Sequence, residues 1–201
     1  MKILKIIGII FLVIIVAVVI FILTLKGENH LERSITINAP VEKVYKVVSD
    51  FSYNKEWSPW YKMDPNTKYE YTENTSGVGA KYSWDSEDPN VMKGEQEIIE
   101  DRKNEFVNTS MKFGDMAGTY SASFILKPVD DNTTELTWTY DGKADAVGEK
   151  FFIDYLTESF LGPQYEQGLA DLKTYIEGLP DPEPEPEMME SDSTAVEEEM
   201  M

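Results

Sequence analysis

The chain has 201 residues, no cysteine and a formal net charge of −19 at neutral pH. Without cysteine it forms no disulfide and no thiolate metal site. An acidic chain without a basic patch is a poor partner for nucleic acid or an anionic lipid surface, so we expect no nucleic-acid partner.

The N-terminal segment is apolar on all sides from Ile6 to Leu25 and carries no charge there. At about 1.5 Å of helical rise per residue it spans the roughly 30 Å hydrocarbon core of a bilayer. We predict a membrane anchor at residues 1–26. A cleaved signal peptide is the alternative, but the apolar stretch is longer than usual for one and no small-residue cleavage motif follows. Lys2 and Lys5 precede the span, which favours a single-pass topology with a cytoplasmic N-terminus and the remainder on the extracytoplasmic side.

The remaining chain divides by composition into two parts. Residues 27–179 have the length of one ordinary domain with a sizeable core. Residues 180–201 hold nine acidic residues and no basic one. A Pro-Glu alternation followed by a glutamate run buries too little apolar surface to offset its ordering entropy, so we predict a disordered tail.

The domain opens with a strand and a short helix. Leu31, Ile35 and Ile37 alternate with polar residues, as a half-buried strand requires. Asn38 is then a candidate N-cap for an amphipathic helix in VEKVYKVVSDF. KEWSPWYKMDP follows, and we predict that it forms a short helical turn beginning near Pro59, with at least one indole packed at the end of the sheet.

Six strand-like runs come next, joined by short turns. Their apolar residues share one parity, which predicts an antiparallel meander with one buried face. The runs lie at 67–73, 77–87, 91–102, 105–114, 118–129 and 133–143.

The last ordered segment is helical, at residues 146–179. One apolar stripe is formed by Tyr165, Leu169, Leu172, Ile176 and Leu179, and Gly162–Pro163 predicts a kink or a break. The fold class is therefore α+β: an antiparallel sheet around a long C-terminal helix, plus one N-terminal transmembrane helix. The space between sheet and helix is either filled or left as a cavity.

This order of elements resembles the helix-grip fold of the START-like superfamily, and several stretches resemble its polyketide cyclase/dehydrase-like (SRPBCC) branch. The resemblance implies a hydrophobic cavity between the sheet and the long helix, but it does not imply cyclase chemistry. The stretches are ITINAPVEKVYKVVSDFSYNKEWSPW, GVGAKYSW with VMKGEQEIIE, TELTWTYDGK and EQGLADLKTYIEG.

Residues that support catalysis are few. His30 is the only histidine and has no partner in the sequence, so a Ser-His-Asp triad and a histidine-based zinc site are excluded. Carboxylates that point into a cavity are the remaining acid–base candidates, but solvated positions are the simpler interpretation. We predict no catalytic residue, no metal site and no cofactor. The carboxylates considered are Asp64, Asp85, Asp115, Glu95 and Glu97.

Aromatic side chains dominate the predicted inner surface. If the space is open, they form an apolar chamber suited to a lipid, sterol, isoprenoid or polyaromatic ligand rather than a charged one. The predicted cavity residues are Trp60, Tyr82, Trp84, Met111, Phe113, Tyr120, Phe124, Trp138, Tyr140, Phe152, Leu156 and Leu169.

Three functions follow from these features. The first is a membrane-anchored domain that binds a hydrophobic small molecule or lipid without catalysis. The second is a cyclase/dehydrase-like enzyme that uses acid or base groups in the cavity. The third is a non-catalytic protein-interaction module with a filled core. The sequence does not indicate the oligomeric state.

Overall fold

The computed structural model describes residues 2–180, so the predicted tail lies outside the described residues except for Pro180. Helix α1 (Lys2–Thr24) is separated by three residues from strand β1 (Glu28–Ile37). One stretch of α1, Ile3–Thr24, is long and apolar enough to cross a membrane, and none of its central window is buried in the protein.

Short helices follow β1. The predicted amphipathic helix is α2 (Val41–Val48), which buries Val44, Val47 and Val48. The prediction that Asn38 caps it was wrong, because α2 begins after Pro40 and Asn38 instead donates from its backbone and side-chain nitrogens to Glu177. After a 3₁₀ turn come two one-turn helices, and Pro59 begins the second as predicted. The segments are the turn at Phe51–Tyr53, α3 (Asn54–Trp57) and α4 (Pro59–Met63).

All six predicted runs form strands, and together with β1 they make one seven-stranded antiparallel sheet in the order β1-β7-β6-β5-β4-β3-β2. Neighbours in sequence are neighbours in space except at β1, which pairs with β7. The predicted parity is confirmed, since the apolar positions of β6 and β7 are buried. The strands are β2 (Lys68–Tyr71), β3 (Lys81–Asp85), β4 (Lys93–Arg102), β5 (Phe106–Phe113), β6 (Thr119–Asp130) and β7 (Thr133–Lys143).

The C-terminal helical region comprises α5 (Val147–Phe151), a π-helical turn (Phe152–Leu156) and α6 (Thr157–Gly178). The predicted stripe is buried against the sheet except at Leu179, which follows the last residue of α6 and is only partly buried. Of the two outcomes predicted at Gly162–Pro163, a kink or a break, the break was wrong, because α6 continues through Pro163. The helical irregularity lies earlier, at the π-helical turn. Pro163 is the seventh residue of α6 and lacks the N–H that would donate to the Ser159 carbonyl, so the helix continues with one backbone hydrogen bond fewer.

Candidate ligand-binding cavity

The space between the inner face of the sheet and α6 is a cavity of about 570 Å³ rather than a filled core. The short helices α3 and α4 close one side of it. Whether its lining residues contact a ligand stays a prediction. The predicted residues that line it are Trp60, Tyr82, Trp84, Met111, Phe113, Tyr120, Phe124, Trp138, Tyr140 and Phe152.

Two predicted cavity residues lie elsewhere. Leu169 is only 2% exposed and packs in the core, behind the residues that line the cavity. Leu156 is 40% exposed on the outer surface. In an α-helix, residues four apart share a face, but the π-helical turn changes that spacing, so Phe152 lines the cavity and Leu156 does not.

Strand register places the inner side chains in rows across the sheet. Tyr82, Gln96, Met111 and Tyr120 are successive cross-strand partners on β3, β4, β5 and β6. Because side chains on one face of a sheet alternate with period two, each such row projects from the same face. The wall of the cavity is therefore set by the register between four consecutive strands.

Aromatic rings from the tryptophan-rich segment form one side of the cavity. Trp57 is 3% exposed and meets Trp138 edge to face, with ring centroids 5.4 Å apart. Trp60 meets Trp138 at 5.9 Å and Tyr165 at 6.3 Å in the same geometry. Edge-to-face pairs are favourable beyond their buried area. Both indoles thus pack on the domain core and border the open space.

The cavity wall also contains polar groups that are already paired. The Tyr82 hydroxyl donates to Gln96 Oε1 at 2.8 Å, and Gln96 Nε2 donates to Thr109 Oγ1 at 2.7 Å. Thr109 then donates to the Ala122 carbonyl at 2.9 Å. Such a satisfied chain of hydrogen bonds lets polar atoms lie in an apolar wall at little cost.

One buried donor on the wall has no protein partner. Among the described residues, the indole nitrogen of Trp57 is buried without a hydrogen bond. Leaving such a group unsatisfied costs about 1–3 kcal/mol. Other atoms of Trp57 line the cavity, but the nitrogen itself is buried, so this unsatisfied N–H lies within the packed wall and not on the cavity surface.

A single carboxylate borders the cavity within the described part of the chain. Glu149 on α5 accepts hydrogen bonds from the Ala117 and Gly118 backbone N–H groups at 3.1 and 3.0 Å. It also accepts one from the Tyr120 hydroxyl at 3.0 Å. Both carboxylate oxygens are therefore engaged, and they fasten α5 to the turn between β5 and β6.

Burial controls the charge of the cavity phenols. It raises the pKa of Tyr82, Tyr140 and Tyr165 above the ordinary value of 10. The pKa of Tyr120 is raised first by burial and then by its hydrogen bond to Glu149. These phenols stay neutral at physiological pH, so the wall is suited to an uncharged ligand.

The carboxylates considered from the sequence do not line this cavity. Asp64 accepts from the Ser86 hydroxyl at 2.5 Å, and this bond together with the Asn66 backbone N–H lowers the Asp64 pKa. Glu95 and Glu97 form ion pairs with lysines. The remaining two, Asp85 and Asp115, are exposed.

His30 has a partner that the sequence did not reveal. Its Nδ1 lies 2.7 Å from Asp141 Oδ1, because the register of β1 and β7 places the two residues opposite each other. This bond raises the pKa of His30. The pair is exposed and does not line the cavity.

Sequence reasoning missed several lining residues. Thr109 and Gln96 occupy positions that face inward on their strands, where apolar residues are expected. A polar residue at such a position could have identified both as part of the cavity wall. No comparable sequence signal marks Glu149, Tyr61 and Tyr165. They lie on helices, and the packing of each helix against the sheet decides which helix face borders the cavity.

A long C-terminal helix held by a seven-stranded antiparallel sheet, with a cavity between them, defines a helix-grip protein of the START-like superfamily. Residues 28–177 match the family described as polyketide cyclase/dehydrase and lipid transport, and the chain belongs to that family. A comparison with curated proteins found no match.

Solved structures with the same fold include three from different organisms. The Zhui aromatase/cyclase from Streptomyces sp. R1128 is 17% identical with a TM-score of 0.57, covering 75% of this chain and 94% of that one. A START superfamily protein from Mycobacterium smegmatis is 16% identical with a TM-score of 0.54, covering 74% and 97%. Truncated norcoclaurine synthase from Thalictrum flavum is 13% identical with a TM-score of 0.55, covering 76% and 96%. At these identities the likeness shows the fold alone.

Proposed function

We propose that this protein is a membrane-anchored carrier or receptor that holds an uncharged hydrophobic molecule between the sheet and α6, without catalysis. The observation that carries the proposal is the cavity of about 570 Å³ with an aromatic wall. Ligand cavities of this size and composition bury most of a small molecule's apolar surface. The family's description, which includes lipid transport, supports the same class of ligand.

The ligand class follows from the chemistry of the wall. Neutral phenols and paired amides and hydroxyls offer no cation to bind a phosphate or carboxylate. Glu149, whose oxygens are engaged, would repel an anion. A sterol, isoprenoid, neutral lipid or polyaromatic compound fits this environment.

Membrane anchoring through α1 forms part of the proposal. The length and apolar surface of Ile3–Thr24 support it, and Lys2 and Lys5 favour a cytoplasmic N-terminus with the domain on the extracytoplasmic side. Mass spectrometry of the N-terminus of the mature protein tests this directly. A chain that starts near residue 27 would identify a cleaved signal peptide instead.

A cavity-filling variant tests ligand binding. The full chain, kept in amphipol, is titrated with anthraquinone, a neutral polyaromatic probe, and tryptophan quenching is recorded. Ala122 is 5% exposed and lines the cavity, so Ala122→Phe should lower affinity by at least tenfold. Ser121→Phe places the same ring on the opposite face of β6 and should bind normally. Equal binding by both variants, or no binding by the wild type, would contradict the proposal.

A second candidate function is an enzyme of the cyclase/dehydrase type. The observation that favours it is Glu149 beside the cavity with the Tyr120 hydroxyl 3.0 Å away. A carboxylate and a phenol at that distance can relay a proton. Turnover of a poly-β-keto substrate analogue that is lost in both Glu149→Gln and Tyr120→Phe would support this function over simple binding.

A further inference from the structure

The connection between α1 and the domain is short and is held at two points. Residues 25–27 alone separate the helix from β1. The backbone N–H groups of Lys26 and Gly27 donate to the two carboxylate oxygens of Asp154, at 2.7 and 2.9 Å. The Ala144 N–H donates to the Gly27 carbonyl at 2.9 Å. Helix α1 therefore leaves the domain at a defined place, beside α5 and the π-helical turn.

The outer side of this segment is apolar and exposed. Val147, Phe151, Tyr155 and Leu156 are 48, 42, 52 and 40% exposed, and we call these four residues the interfacial patch. The ring of Phe21, in the last turn of α1, lies 6.3 Å from that of Phe151 and 5.7 Å from that of Tyr155, measured between centroids. The patch thus continues the apolar surface of α1.

The position of Phe21 sets the depth of the patch. Phe21 lies three positions before Thr24, the end of the span, which corresponds to about 4.5 Å along the helix axis. If α1 crosses a bilayer, rings that touch Phe21 lie near the boundary between headgroups and acyl chains. Tyrosine and other amphipathic rings are enriched at that boundary.

The inner side of the same segment borders the cavity. Gly148, Glu149 and Phe152 line it, and Gly148 is exposed, so the rim of the cavity includes α5. A short segment therefore separates the interfacial patch from the ligand space.

We propose that the interfacial patch inserts into the surface of a phospholipid bilayer and places the rim of the cavity at Gly148 against the leaflet. This inference rests on the proposed membrane anchoring. It deepens the proposed function by identifying the ligand's source, because a hydrophobic molecule then passes from the leaflet to the cavity without crossing bulk water. Residues 145–158, which include the patch, carry four carboxylates against one lysine, so a zwitterionic bilayer suits this surface better than an anionic one.

Site-directed spin labelling tests the inference, and the absence of native cysteine makes each label unique. Single variants Phe151→Cys and Tyr155→Cys are labelled in the full chain and placed in phosphatidylcholine nanodiscs. Val129→Cys is the matched control, because Val129 is also exposed, at 59%. It lies ten residues after Thr119, the first residue of β6, and is therefore about 33 Å along that strand, toward the far end of the sheet. Val13→Cys reports the centre of α1.

The relaxation rate of each spin label is measured with oxygen, which concentrates in lipid, and again with a nickel complex that stays in water. The ratio of the two effects reports whether the label lies in lipid or in water. We expect oxygen to dominate at positions 13, 151 and 155 and nickel to dominate at 129. If positions 151 and 155 behave like 129 while 13 reports lipid, the patch lies in water and the inference is wrong, although the anchoring stands. If position 13 also reports water, the anchoring fails and the inference fails with it. The anthraquinone titration tests the cavity independently of both results.

Discussion

The indole of Trp138 and the phenol ring of Tyr165 stack with their centroids 3.9 Å apart, and this pair joins the inner face of the sheet to α6. The close approach depends on Gly168, since a Cβ there would lie 2.9 Å from the Trp138 ring and 3.2 Å from Pro59. Trp57 meets the same indole edge to face. The stack is thus both part of the core and part of the cavity wall.

Trp138→Ala should lower the free energy of unfolding by about 3–5 kcal/mol, because it removes a buried ring and leaves a larger void. Urea unfolding of the full chain in detergent, followed by circular dichroism, measures the change. Trp84→Ala is the control: Trp84 is only partly buried, so its loss should be smaller. An equal loss of unfolding free energy in the two variants would contradict the conclusion that Trp138 is more important to the core than Trp84.

His30 should titrate above its ordinary pKa of 6.5, because it is hydrogen-bonded to Asp141. A raised pKa in the folded state stabilises the fold fully below about pH 6.5, and this contribution disappears as the pH rises through the folded pKa. NMR of the single imidazole measures the shift. Asp141→Asn should return the pKa toward 6.5, and a wild-type value at or below 6.5 would contradict the assignment.

Glu149→Gln should loosen α5 from the turn between β5 and β6. The carboxylate accepts from two backbone N–H groups and a phenol, and an amide nitrogen in its place would face donors. Hydrogen exchange at the Ala117 and Gly118 amides should become faster. Glu158→Gln, which alters an ion pair with Arg33 on another surface, should leave these amides unchanged.

Gly27→Ala should destabilise the junction between α1 and the domain. Gly27 has φ +74°, and a Cβ there would overlap the Ala144 carbonyl oxygen and lie 2.6 Å from Lys150 Cγ. The strained backbone alone costs about 1–3 kcal/mol. Thermal unfolding measures the loss, with Gly178→Ala as a control because no atom lies within 4 Å of its Cβ position. An unchanged unfolding temperature would show that the junction is not rigid.

Much of the cavity wall was predictable because the side-chain period of a strand is two residues. Once Tyr120 and Phe124 are assigned to the buried parity of β6, their direction follows from the backbone. The helical positions were less predictable. A regular α-helix would put Leu156 on the same face as Phe152, whereas the π-helical turn directs it outward. Glu149 was missed because no periodicity marks a single carboxylate at a helix start.

Local spacing and composition were enough to predict the apolar N-terminal helix, the order of strands and helices, the inner parity of each strand and the family resemblance. Contacts between distant elements, by contrast, leave the space between sheet and α6 open, pack Trp57 and Trp60 on Trp138, and bring Glu149 to the border of the cavity. Those outcomes depend on register between strands and on how closely a helix approaches a sheet. Both are set by contacts between residues far apart in the chain, which no local pattern encodes.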